Sequence, residues 1–250
     1  MSEAKKKRLD VLLVERGLAP TRERAQALIL AGKVLVQDVP STKPGHSIAV
    51  EAAIRVREPD HPYVSRGGLK LEKALTEFGV DTNEKLGLDV GASTGGFTQC
   101  LLMRGARQVV ALDVGENQLA WEVRSDPRVK VLEKVNARHL NYEDLGQQFD
   151  VIVMDVSFIS ITKILVPLKV FSTENTDWIT LIKPQFEVGR ELVGKGGIVR
   201  SEAARLDSVQ QVTAFAESIG LQRLGLIQSP IQGTDGNIEY LAHWRMSATV

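Results

Sequence analysis

The sequence predicts an α/β fold: a doubly wound, mainly parallel sheet with its last strand antiparallel, preceded by a small N-terminal α+β module. Three observations predict it. From Leu86 onward, short apolar runs alternate with stretches of helical spacing, the pattern of a parallel sheet covered by helices on both faces. Residues 88–98, Leu-Asp-Val-Gly-Ala-Ser-Thr-Gly-Gly-Phe-Thr, place a glycine-rich turn between a strand and a helix. The chain closes on Ile238-Glu-Tyr-Leu-Ala-His-Trp after a turn-rich stretch containing Asp235-Gly236, and such a hairpin-type return makes the last strand antiparallel to its neighbour.

Taken in order, residues 8–17 carry helical spacing and stop at Gly17. Thr21 caps a helix over 22–31, which Gly32 ends. Lys33-Val-Leu-Val-Gln and Ser47-Ile-Ala-Val-Glu read as short strands. Two prolines and two glycines in Glu58-Pro-Asp-His-Pro-Tyr-Val-Ser-Arg-Gly-Gly then mark a boundary. We therefore expect a module over 1–60, an interdomain linker over 61–67 and a large domain over 68–250. The large domain opens with an amphipathic helix over 69–78, its apolar face made by Leu71, Ala74, Leu75 and Phe78. Lys70 lies outside that stripe, and position alone is compatible with a surface lysine. Strands follow at 86–90, 108–113, 129–133, 149–155, 177–183 and 221–228, with helices at 96–104, 116–124, 161–171 and 202–219.

Composition bounds the function. The chain has 250 residues, 43% apolar and 25% charged, which is ordinary for a soluble globular protein. Its net charge of zero is unevenly placed: residues 1–66 hold twelve Lys/Arg against eight Asp/Glu. A basic head on an acidic body suits an attached nucleic-acid-binding module. Cys100, the single cysteine, excludes an intrachain disulfide and sits in an apolar helical stripe, so core packing is its expected role. The four histidines lack metal-ligand spacing, so no metal is expected. No apolar run approaches the ~18 residues of a membrane helix, and no signal segment is evident, so a cytoplasmic protein is expected.

The turn points to a cofactor. A strand–turn–helix unit brings backbone N–H groups to the carboxyl edge of the sheet, where ligands of such folds bind. Its spacing is Gly-x-x-x-Gly-Gly rather than the Gly-x-Gly-x-x-Gly of dinucleotide sites, which favours a less anionic ligand. The next strand ends on Asp113, the usual place for an acid on ribose hydroxyls. Turn and acid suggest an adenosine-containing cofactor, and S-adenosylmethionine (SAM) fits best. The candidate contacts are Asp89, Gly91, Ala92, Ser93, Thr94, Gly95, Gly96 and Phe97 toward the methionine end, then Asp113 with Val114 at the ribose. Asn136 and Ala137 are expected to flank the adenine, and Asp155, Ser157 and Phe158 to close the pocket. For Phe158, ordinary core packing is an equal alternative.

Charged residues at strand ends suggest the chemistry. Asp155 closes Val151-Ile-Val-Met, Lys183 closes Trp178-Ile-Thr-Leu-Ile and Glu239 opens the last strand, all on the edge of the glycine turn. Together with Ser65-Arg-Gly-Gly-Leu-Lys70, the 88–98 turn, Asp155-Val-Ser-Phe-Ile-Ser and Lys183-Pro-Gln-Phe-Glu, this pattern resembles the TlyA family over nearly the whole chain. The members, often labelled "hemolysin", are ribosomal RNA 2′-O-methyltransferases with an FtsJ-like catalytic domain. The resemblance implies a catalytic tetrad of Lys70, Asp155, Lys183 and Glu239, a SAM-methyltransferase Rossmann-like sheet, S-adenosylhomocysteine as by-product, and cytidine ribose as target. Residues 7–57 likewise resemble a small RNA-binding module of the ribosomal-protein type, through Thr21-Arg22, Ala25, Ile29, Gly32-Lys33-Val34 and Val36. Its basic residues Lys7, Arg8, Arg22, Arg24, Lys33 and Lys43 are expected to grip RNA through phosphates and shape, joined by Arg66, Lys134, Arg138 and Arg190 on the large domain. The 184–200 loop, with Lys195 and Arg200, is a candidate lid.

A ribose hydroxyl must lose its proton to attack a sulfonium methyl. A lysine amine takes it when neutral near the operating pH, which burial and a second ammonium favour. Lys183 is the expected base, with Lys70 orienting the ribose and Asp155 and Glu239 fixing the amines; which lysine is neutral stays open at this level. Three other readings are a nicotinamide-dependent oxidoreductase, a non-catalytic ribosome-binding factor and a pore-forming cytolysin. Wrong glycine spacing and the lack of a relay histidine count against the first. The second needs only the basic head, and the third lacks a membrane segment.

Overall fold

The computed structural model describes residues 6–19, 21–56, 61–233 and 235–247, which fall into two compact units divided after Pro62. In the small unit, β1 (Lys6–Arg8) leads into α1 (Leu9–Glu15) and α2 (Arg22–Leu30). β2 (Val34–Val36), β3 (Val39–Pro40), β4 (Ser47–Ala49) and β5 (Ile54–Val56) follow. Thr21 Oγ1 accepts from the Arg24 N–H at 3.2 Å, the cap expected for α2. Leu9, Leu12, Leu13, Ala25, Ile29 and Val34 form its core. Arg8 belongs to a strand, not to the helix expected over 8–17. β1 pairs antiparallel with β4, Arg8 opposite Ser47, a partner that local spacing cannot reveal. β3 and β5 flank β2 and are too short to register as alternation.

The large unit alternates as expected: α3 (Gly67–Glu77), β6 (Leu86–Val90), α4 (Gly96–Met103), β7 (Gln108–Leu112), α5 (Trp121–Arg124), β8 (Val129–Leu132) and α6 (Tyr142–Leu145). Then come β9 (Phe149–Met154), α7 (Thr162–Leu168), β10 (Ser172–Ile182), α8 (Pro184–Glu187), α9 (Glu202–Ser218), β11 (Leu221–Gln228) and β12 (Tyr240–Met246). The seven strands run in the order β11-β12-β10-β9-β6-β7-β8. β8, β7, β6, β9 and β10 are mutually parallel, and β12 inserts antiparallel between β10 and β11. Consequently the carboxyl ends of six strands, β11 included, and the start of β12 share one edge.

Side chains alternate between two apolar cores. Leu88, Ile152, Met154, Trp178 and Trp244 point to one face, while Val151, Val153, Ile179 and Leu241 point to the other with Leu71, Leu75 and Leu101. Cys100 is fully buried there, and burial pushes its thiol up to about 12.

Three boundaries differ from expectation. α5 spans only Trp121–Arg124, because Asn117 takes a left-handed turn (φ 57°) and gives its N–H to Glu133 at 2.8 Å. α7 stops at Leu168, just past Pro167, and a 3-10 turn carries the chain to Phe171. β10 begins at Ser172 through a bulge before Asp177. Among the described residues no helix is long and apolar enough to cross a membrane.

Candidate active site

Three strand ends deliver three charges. Asp155 follows β9, Lys183 follows β10 and Glu239 precedes β12, all on the shared edge. The fourth comes from the first turn of α3, where Lys70 is buried and not on the surface. Its amine lies 2.5 Å from Glu239 Oε2. Lys183 Nζ lies 2.5 Å from Asp155 Oδ1 and donates to Ser157 Oγ at 2.8 Å. Lys70, Lys183 and Glu239 are 8, 9 and 2% exposed, so the Lys70–Glu239 pair is withdrawn from water, while the Asp155 side chain of the second pair is 21% exposed. All four side chains line one cavity of about 310 Å³.

The glycine turn forms the floor. Gly91 (φ 84°) passes so close to the Asp155 carbonyl that a Cβ would sit 2.5 Å from its oxygen. A Cβ on Gly96 would lie 2.3 Å from Ser65 Oγ and 2.8 Å from the Gly68 nitrogen. Both positions therefore require glycine, since backbone stands in the way. Ala92, Thr94, Gly96 and Phe97 line the tetrad cavity. Gly91, Ser93, Asp155 and Ser157 line it and also a second cavity of about 480 Å³.

The second cavity holds the adenosine-side candidates: Asp113, Val114, Asn136, Ala137 and Phe158, with Arg138 at its wall. Asp113 accepts from the N–H groups of Ser93 at 2.8 Å and Gly115 at 2.7 Å, which fixes its carboxylate against the turn with lone pairs left over. Phe158 is 92% exposed, so the core alternative does not hold; its φ of 65° turns the ring outward against Phe186, centroids 5.3 Å apart.

Asp89 and Gly95 depart from expectation and line neither cavity. Asp89 is fully buried beneath the turn and accepts from Thr98 Oγ1 at 2.6 Å, while its Oδ1 has no hydrogen-bond partner among the described residues. Burial pushes this carboxyl up to about 7. Gly95 (φ 98°) backs onto Leu119, 2.8 Å from where a Cβ would stand. Both shape the turn from behind.

The basic candidates divide by environment. Arg8 and Arg22 converge on the fully buried Asp10, at 2.8 and 3.0 Å, and the Arg8 fork and its neighbours hold that carboxyl well below the usual range. Lys7 pairs with Glu15 at 2.7 Å and Lys134 with Glu116 at 2.8 Å. Arg24, Lys33, Lys43 and Arg190 are exposed, and Arg66 lines the tetrad cavity. The 184–200 loop is tied at its far end: Asn237 accepts from the Val199 N–H at 3.0 Å and donates to the Gly197 carbonyl at 2.8 Å.

Sequence reasoning missed two wall segments. Ser65 read as linker, yet residues 63–67 pack on the large unit, the Val64 N–H donating to Gln99 Oε1 at 2.6 Å. Ile231, Gln232 and Gly233 complete the tetrad cavity, and Gly233 makes room for Glu239 Oε1, 2.5 Å from its would-be Cβ. The glycine before the last strand was the available signal.

The sheet order, glycine turn and paired amine–carboxylate cavity define a Rossmann-like methyltransferase catalytic unit that follows a small helix–strand module in the sequence. The FtsJ-like methyltransferase family model matches residues 63–246 and the S4 domain model residues 7–54. A Bacillus subtilis protein with an rRNA-methyltransferase name, YqxC, is 48% identical over 241 residues, 96% of this chain and 86% of that one. The 16S/23S rRNA (cytidine-2′-O)-methyltransferase TlyA of Mycobacterium tuberculosis is 45% identical over 238 residues, 95% of this chain and 89% of that one. A solved hemolysin-named structure from Streptococcus thermophilus is 42% identical and superposes with a TM-score of 0.76, covering 98% and 90%. The chain belongs to the TlyA family of FtsJ-like methyltransferases.

Proposed function

We propose that this protein is a SAM-dependent ribosomal RNA (cytidine-2′-O)-methyltransferase. One observation carries the reading: two amine–carboxylate pairs, both lysines buried, line a cavity whose floor is also the edge of an adenosine-sized cavity ending at Asp113. A cofactor spanning the two fits the residues present, because the glycines leave backbone uncovered where a Cβ would fill the cradle. Bound SAM supplies a methyl group activated on a sulfonium.

The chain's own residues do the rest. Asp113 takes the cofactor ribose, Asn136 and Ala137 flank its base, and Gly91 to Gly96 receive the methionine end. Lys183 accepts the proton of the RNA 2′-hydroxyl, and Lys70 orients that ribose. Asp155 and Glu239 hold the two amines in place, so alignment is built in before substrate arrives. The exposed Phe158 ring on the cavity rim offers an unpaired base a stacking face. The module over 1–60 grips RNA through Arg8, Arg22 and the exposed Arg24, Lys33 and Lys43. Residues 61–62 lead from it to the catalytic part, which begins at Tyr63. Acting on ribosomal RNA, the protein would work in the cytoplasm.

The test is methyl transfer from tritiated SAM to isolated ribosomal subunits, with the labelled nucleotide mapped. Label at a cytidine 2′-oxygen is expected; label on a base or on protein overturns the reading. Lys183→Ala is expected to abolish transfer and leave the SAM dissociation constant near wild type, as calorimetry would show. Retained turnover removes Lys183 from the mechanism.

A further inference from the structure

The Lys183-Pro-Gln-Phe-Glu187 segment holds a carboxylate that the chemistry above does not use. We propose that Glu187 is a positioning residue for methyl transfer: it clamps the loop after Asp155 and so keeps Asp155 and Ser157 in register with Lys183. This rests on the reading of Lys183 given above.

Two loops leave the sheet edge side by side, one carrying Asp155 and Ser157, the other beginning at Lys183. Surface loops hold catalytic geometry only when something fixes them. The near tie is Lys183 itself, bound to Asp155 and Ser157. The far tie is Glu187, at the end of α8. One of its oxygens accepts from Ser160 Oγ at 2.6 Å and the other from the Ile161 N–H at 2.9 Å. Ser160 Oγ in turn lies 2.7 Å from Thr162 Oγ1 and accepts from the Thr162 N–H at 3.2 Å, which anchors the clamp to the first turn of α7. Between the two ties the Phe158 and Phe186 rings meet at a tilt of 50°. Glu187 lines neither cavity, so it acts through the loop alone. With the clamp cut, the Asp155–Ser157 side is free to swing, and a shift of ~1 Å at a reacting group costs on the order of a hundredfold in rate.

Glu187→Ala, Glu187→Gln and Lys183→Ala would be compared in single-turnover methyl transfer at saturating SAM and ribosomal subunit, with SAM affinity and thermal midpoint measured alongside. The alanine variant is expected to slow transfer by roughly ten- to a hundredfold, with SAM affinity within about threefold of wild type. The glutamine variant, whose amide can keep both contacts, is expected to recover most of the rate. An alanine variant at the wild-type rate overturns the clamp. So does a glutamine variant as slow as alanine, or a loss that merely follows SAM affinity or melting. An inactive Lys183→Ala beside a fully active Glu187→Ala sinks the clamp alone. An active Lys183→Ala sinks the underlying reading and the clamp with it.

Discussion

Asp113 and Asp89 show how burial and partners set what a carboxylate does. Asp113, half-exposed at the end of β7, has two backbone donors and spare lone pairs facing the larger cavity. Replacing it with alanine is expected to weaken SAM binding by about 1–3 kcal/mol, measured by calorimetry. An unchanged dissociation constant contradicts the ribose role. Asp89 is sealed beneath the turn, one oxygen unpaired among the described residues. Its folded pKa of about 7 lies above the unfolded value of about 3.9, so the native state keeps a proton that the unfolded chain has lost. Stability from this group therefore falls as pH rises from about 4 to about 7, and levels off above. Asp89→Asn, still able to accept from Thr98, is expected to lack that fall. Urea midpoints measured from pH 5 to pH 8 would converge on and then pass the wild type. A parallel pair of curves counts against the shifted carboxyl.

At the scale of elements, the glycine turn joins β6 to α4 while α3 presses on it from the other side. Gly96 is the contact point, with Ser65 Oγ and the Gly68 backbone within a Cβ radius. Gly96→Ala is expected to cost about 1–3 kcal/mol of stability by overpacking and to weaken SAM binding as the turn shifts, read by thermal unfolding and calorimetry. A variant equal to wild type in both would show that α3 yields freely there. The same contact explains why residues 63–67 read as linker. Pro62, Gly67 and Gly68 are genuine boundary signals, but whether such a segment floats or packs depends on a helix some thirty positions away. α5 makes the opposite point: its helical spacing was visible, and a hydrogen bond from the Asn117 N–H to the Glu133 carboxylate withheld its first half.

At the scale of the whole molecule, charge is divided between the units. The small unit's Arg24, Lys33 and Lys43 are exposed. Replacing all three with alanine is expected to lower affinity for ribosomal RNA and to reduce the slope of log affinity against log salt by about three, one per lost phosphate contact. SAM binding should stay unchanged. Filter binding across a salt series checks it, and an unaltered slope would remove these side chains from the interface.

Strand direction was the most readable part of the large unit. Alternating apolar runs set the parallel strands, and the Asp235-Gly236 turn announced the antiparallel return. The strand-end rule put Asp155, Lys183 and Glu239 on one edge before any coordinates. Those features are local or follow from topology, so residue pattern alone was enough to determine them. Lys70 was different, because nothing around it distinguishes a surface lysine from a buried one. Only the packing of α3 over the sheet edge brought its amine to Glu239, 169 positions away. The same holds for Ser65, for the concealment of Asp89 and for the clamp at Glu187. Each depends on a partner distant in sequence, and desolvation and hydrogen bonding act between neighbours in space, which the order of residues does not list.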